Sequence, residues 1–106
     1  MSYIKHDAII VTDWDADRLT EAHTRAKELF GQYDLVSDIG PKQINGYSSF
    51  AVFPDGSKEG WDDSELCAGM RHELIQFLQV LGLDFVAVRF GGDDSKASVI
   101  EKGDPQ

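Results

Sequence analysis

The chain has 106 residues, the size of a single domain of roughly 100–150 residues, which leaves no room for a second lobe. Its 42% hydrophobic content is too high for a disordered chain. A net charge of −9 repels phosphate backbones and anionic lipid, so direct binding to nucleic acid or to a membrane surface is not expected.

The single cysteine, Cys67, excludes an intramolecular disulfide framework and a Cys-only metal site, and it fits a reducing compartment. Met1 to His6 has no apolar run of signal-peptide length. No stretch approaches the roughly 20 apolar residues of a membrane span. A soluble cytoplasmic protein is expected.

In chain order, Ala8-Ile9-Ile10-Val11, preceded by Tyr3 and Ile4, is short and β-branched and predicts a central strand. Leu19, Ala22, Ala26, Leu29 and Phe30 recur at helical spacing up to Gly31, a residue suited to terminate a helix. Leu35, Val36 and Ile39 make a weaker strand ended by Gly40-Pro41. The Asn45-Gly46 turn leads into Tyr47 to Phe53, and the two strands could pair as a hairpin with a long connection. Leu66, Met70, Leu74, Phe77, Leu78 and Leu81 mark a second helix ending at Gly82, with Leu83 packing back. Phe85 to Phe90 is a second apolar strand, Gly91-Gly92-Asp93-Asp94 turns, and Ala97 to Ile100 offers a short last strand. Residues 1–102 read as one α+β domain and 103–106 as a polar tail.

Trp14-Asp15 followed by Leu19, and Trp61-Asp62 followed by Leu66, place the same residues at the entrance of each helix. Read as helix starts, Asp15 and Asp62 are N-caps, and each Trp and Leu form a hydrophobic staple. Asp62 with Glu65 also fits a capping box, which Arg18 breaks in the first copy. Two similar strand-helix-strand halves give the order βαββαβ plus a final strand. This is the pattern of a ferredoxin-like sandwich, with two helices on one face of an antiparallel sheet.

No motif names a reaction. Asp13-Trp14-Asp15 at a strand end could chelate Mg²⁺, with Asp93 as a further acid, and a metal-dependent phosphoryl enzyme is the weakest of three readings. The pair superficially resembles the metal-binding D-x-D of haloacid-dehalogenase-type phosphatases, but the Gly-Thr that this resemblance implies is replaced by Ala16-Asp17, and a cap followed by a turn explains the pattern. His6, His23 and His72 lack metal-ligand spacing, and Cys67 reads as a buried small hydrophobe. No catalytic residue, metal ligand or cofactor is assigned.

The glycine-rich segment Asp55 to Trp61 enters a helix N-terminus, where an anion could bind. Lys42, Lys58, Trp61 and Arg71 are the candidate groups for an anionic, possibly nucleotide, ligand. Asp62, Asp63, Glu65, Asp93 and Asp94 form a candidate acidic surface. Its functional reading is imitation of nucleic-acid phosphates to inhibit a host protein; solvation and helix-dipole matching account for part of it. The strands at Ala8 to Val11 and Val86 to Phe90 are apolar on both faces, so the helix-free face should be sticky, and a twofold homodimer through the sheet is expected.

The segments His6 to Trp14, Asn45 to Phe50 and Pro54 to Trp61 together resemble a group of small bacteriophage-encoded proteins that carry no assigned activity. The likeness spans most of residues 6 to 90. It implies a phage or prophage accessory protein in a bacterial host cytoplasm, acting by binding a host protein or a small molecule. A non-enzymatic binding module is the leading expectation.

Overall fold

The β-branched run near the N-terminus forms strand β1 (His6–Asp13), which lies inside a four-stranded antiparallel sheet. The other strands are β2 (Ser48–Val52), β3 (Asp84–Phe90) and β4 (Ser98–Gly103), in the spatial order β2-β1-β3-β4. Helix α1 (Ala16–Leu29) follows β1 and helix α2 (Asp62–Leu81) follows β2. The computed structural model describes residues 4–58, 60–93 and 96–103. The expected tail begins at Gly103, which instead closes β4; residues 104–106 lie outside the described residues.

Alternation decides which side chains enter the core. Ile9 and Val11 of β1, Phe50 and Val52 of β2, and Phe85 and Ala87 of β3 point to one face. They form a single buried cluster with Leu19, Ala22, Ala26 and Phe30 from the first helical segment and Leu74 and Leu78 from the second. Both helices therefore cover the same face of the sheet. Each fully buried Val, Leu, Ile or Phe contributes about 1.5–3 kcal/mol relative to exposure. No helix among the described residues is long and apolar enough to cross a membrane.

Residues 35–40, expected as a weak strand, run along the outer edge of β2 as an irregular strip. Phe53 N–H donates to Leu35 O at 2.8 Å, Ser37 N–H to Ala51 O at 2.9 Å and Gly40 N–H to Ser49 O at 2.9 Å. Only Val36 and Val52 form a regular bridge. The Ser37 hydroxyl supplants a ladder partner by accepting the Ala51 N–H at 2.9 Å, which explains the irregularity. The strip runs antiparallel to β2 and hence in the direction of β1, with β2 between them. Likewise β2 and β3 share a direction, with β1 between them. This connectivity is compatible with a ferredoxin-like fold.

The helix starts are less alike than their sequences. Asp15 caps α1 as expected, its carboxylate accepting from Asp17 N–H at 2.9 Å and Arg18 N–H at 3.3 Å. At α2 the helix begins one residue earlier than the echo implies. Asp62 is already helical, and Trp61 occupies the cap position with no side-chain hydrogen bond. Three acids in the first turn, Asp62, Asp63 and Glu65, instead meet the positive end of the helix. Of the expected staple residues, Trp14, Trp61 and Leu66 are exposed and only Leu19 is buried.

The helix ends differ as well. Gly82 adopts the left-handed conformation with φ 73°, and Leu83 N–H returns to Leu78 O at 3.2 Å while its side chain is buried. The first helix needs no such glycine: Phe30 N–H closes on Ala26 O at 2.9 Å, and Gly31 stays outside the left-handed region.

Candidate functional site

The buried stripe of α2 reads Cys67, Arg71, Leu74, Leu78. An arginine thus occupies a core-facing position and is only 8% exposed. Such a charge requires a partner, and Asp55, from the loop after β2, supplies it: Arg71 Nη2 donates to the Asp55 carboxylate. Ser57 also binds Asp55, through its hydroxyl and through its N–H at 3.3 Å. Burial pushes the Asp55 carboxyl up, but the bonds from Ser57 and Arg71 outweigh it and leave the group below the usual carboxylate range. The Arg71 Nε is buried with no hydrogen-bond partner among the described residues.

A second guanidinium pair adjoins the first. Asp7 and Arg89 are direct cross-strand partners of β1 and β3. Arg89 grips Asp7 with two bonds, Nε to Oδ1 at 2.9 Å and Nη2 to Oδ2 at 3.2 Å, the fork geometry that suits carboxylates. Two contiguous cavities, about 380 Å³ and about 300 Å³, share Asp7, Ala68, Arg71 and Arg89 as a common wall. The larger adds Lys5, Asp55, Ser57 and Ser64. The smaller is floored by Ile9, Ile75, Ala87 and Ile100. Together they form a cleft between α2 and the ends of β1 and β3, with fixed cationic groups at its waist.

Of the candidate ligand groups, Arg71 lies at this waist. Lys58 and Trp61 stand on the loop at the margin, where Lys58 pairs with Ile4 and its Nζ lies 5.8 Å from the Trp61 ring centroid. Lys42 is exposed in the loop before Ser48. Since Ser48 pairs with Asp13, the far end of β1 from Asp7, Lys42 sits at the opposite end of the sheet.

The acidic residues differ in what they engage. Asp63 accepts from the Tyr33 hydroxyl at 2.6 Å, and that bond, with burial second, pushes the phenol up to about 12. Asp93 clasps Ile4, accepting its N–H at 2.7 Å and returning its own N–H to Ile4 O at 2.6 Å. A side chain at Gly92, φ 60°, would strike that same carbonyl. Asp62 and Glu65 remain exposed, and Asp94 lies outside the described residues.

Asp13, Asp15 and Asp93 do not converge. Asp93 binds at Ile4, just before β1, and Asp13 ends that strand nine residues on, roughly 30 Å of extended chain. Asp13 is buried and already occupied by Arg18, whose Nη2 and Nε donate to it at 3.0 Å and 3.3 Å, and by the Asp15 N–H at 3.1 Å. Arg18 further reaches Leu81 O at 3.1 Å and so ties the end of α2 to the start of α1. Among the described residues no three His, Cys, Asp or Glu are placed to hold a metal ion.

The histidines have separate settings. His6 lies 5.8 Å from the Phe90 ring, and His23 bonds Ser37 O at 2.8 Å with its edge on Phe50. His72 is exposed on the rim of the smaller cavity. Cys67 is fully buried, and burial pushes its thiol up, away from a nucleophile.

Sequence reasoning missed Asp7, Arg89, Asp55 and Lys5. A signal for one pair was present: Asp7 precedes the apolar run of β1 and Arg89 interrupts that of β3, and antiparallel pairing sets such opposite charges side by side. Comparison with family models, curated proteins and solved structures found no match for the chain.

Proposed function

We propose that the chain is a ferredoxin-like, non-enzymatic binding module whose cleft between α2 and the ends of β1 and β3 holds a small anionic ligand. On its resemblance to bacteriophage-encoded proteins, we further propose that it serves as an accessory protein in a bacterial cytoplasm. The observation that carries the ligand reading is Arg71: a nine-tenths buried guanidinium at the waist of an open cleft, with its Nε unpartnered. Leaving such a donor unsatisfied is costly, and an anion entering the cleft would relieve that cost. Asp7 and Asp55 are both gripped by guanidinium groups, an arrangement that favours fixed charge over proton transfer and supports binding without catalysis. The alternative, phosphate imitation by the acidic residues, is weaker because Asp63 and Asp93 are engaged within the fold.

Calorimetric titration with inorganic phosphate, sulfate, acetate and nucleotides tests the proposal. Saturable binding of at least one anion is expected. Arg71→Lys, which keeps the charge but loses the fork, should weaken it about tenfold, the effect of one lost charge-assisted hydrogen bond. Lys42→Ala should leave it unchanged. Absence of saturable binding at millimolar anion would overturn the reading.

The helix-free sheet face favours a second, compatible property. Ala8 and Ile10 of β1 face Val88 and Val86 of β3, and Val99 of β4 lies opposite Val88. Ile10, Phe90 and Val99 are exposed. A single apolar patch closes most simply on its own copy through a twofold axis. Sedimentation at high micromolar concentration should give a dimer that Val88→Glu splits into monomers, and a monomeric parent chain would sink the idea.

A further inference from the structure

We infer that the ligand of the cleft is an amphipathic anion, a singly charged acidic head carrying an aliphatic body such as an acyl chain. This rests on the anion-site reading above and adds to it the chemistry of the second cavity. At the waist formed by Arg71 and Arg89 the lining changes character. On one side stand Asp55, Ser57 and Ser64; on the other, Ile9, Ile75, Ala87 and Ile100 form an apolar floor beneath a rim of His72, Gln76, Gln79 and Glu101. An alkyl chain needs only apolar area.

The backbone supplies an independent observation. Between β3 and β4 the register shifts, with Glu101 opposite Ala87 but Val99 opposite Val88. Ile100 is the extra residue of a bulge. Without the bulge, alternation would leave either Val99 or Glu101 on the wrong face; with it, Val99 keeps the helix-free face while Ile100 and Glu101 both border the cleft. Bulges re-aim side chains in this way beside functional sites. The isoleucine so placed is 45% exposed on an edge strand, an arrangement that a bound apolar group would cover.

The charges restrict the head. Lys5, Arg71 and Arg89 share the cleft with Asp7, Asp55, Glu65 and Glu101. With four acids against three cations the lining is already net negative, so each further charge on the head costs more, and a singly charged carboxylate is opposed less than a nucleoside polyphosphate.

The test is calorimetric titration with acetate, butyrate, hexanoate and octanoate below the micellar concentration, with 1-octanol as the uncharged control. Affinity should rise about fourfold per added methylene until the apolar cavity is filled. Ile100→Asn should flatten that rise, and Val99→Asn, on the opposite face, should leave the rise intact. Equal affinity for acetate and octanoate would overturn the inference and leave the anion site standing. Octanol binding as tightly as octanoate would overturn the anion site itself. Binding of none of these would overturn the inference, and if phosphate, sulfate and nucleotides fail to bind as well, the anion site falls with it.

Discussion

Arg71→Ala is expected to lower folding stability by about 3–5 kcal/mol, because it strands the Asp55 carboxylate in a largely buried position. Against the total of about 5–15 kcal/mol typical of a domain this is a large fraction. The double change Arg71→Met with Asp55→Leu removes both charges and restores apolar volume, and it should fall within about 1 kcal/mol of the parent chain. Urea midpoints for the three proteins decide the matter. If the double variant is as unstable as the single one, the pair stabilises the fold beyond mutual neutralisation, and its retention needs no ligand to explain it. Acid supplies an independent check. Asp55 is held below its ordinary value in the folded chain, so its stabilisation is full above about pH 4, the unfolded value, and is lost as pH falls through the lower folded one. That component of the acid limb should be missing from the double variant.

Phe30→Ala should cost about 3–5 kcal/mol. Phe30 is the largest of the fully buried side chains, yet it stands at the very end of α1 rather than within it. Its backbone is pinned on both sides, by its own N–H on Ala26 O and by Tyr33 N–H on its carbonyl at 2.8 Å. A cavity left there cannot close by a shift of the helix end without breaking those bonds, which puts the loss toward the upper part of the range. Val80→Ala, on an exposed flank of α2, should change stability by less than about 0.5 kcal/mol. A thermal or urea transition for Phe30→Ala close to that of Val80→Ala would show that the core does not depend on this ring.

What could be read in advance depended on how local each signal is. The apolar runs of β1 and β3, the Asp15 cap and the Gly82 stop are decided within a few residues, and the folded chain has them where the spacing put them. The Trp-Asp-Leu echo misled because a cap is set by the chain that precedes it. Lys58 is engaged with Ile4, and Trp61 N–H turns back to Lys58 O at 3.1 Å, so the second helix starts a residue early. Arg71 stands among the candidate cations on charge, and only the packing of α2 shows that it faces inward against Asp55. Its neighbours Asp7 and Arg89 belong to strands far apart in sequence, and only the β1–β3 register joins them. Lys42 was grouped with Arg71 on charge alone, and the direction of β2 carries it to the other end of the sheet.

The two borders of the sheet differ in a way that bears on how copies of the chain can meet. Open strand borders are templates for uncontrolled growth, and proteins blunt them with charge, proline or irregular backbone. Along β2 the border is occupied by residues 35–40, which stop at Gly40-Pro41, where the proline has no N–H to offer another chain. Along β4 it carries the bulge at Ile100 and the adjacent charges of Glu101 and Lys102. Neither side invites a further strand, so the dimer proposed above, formed through the apolar face, would close at two rather than extend into a fibre.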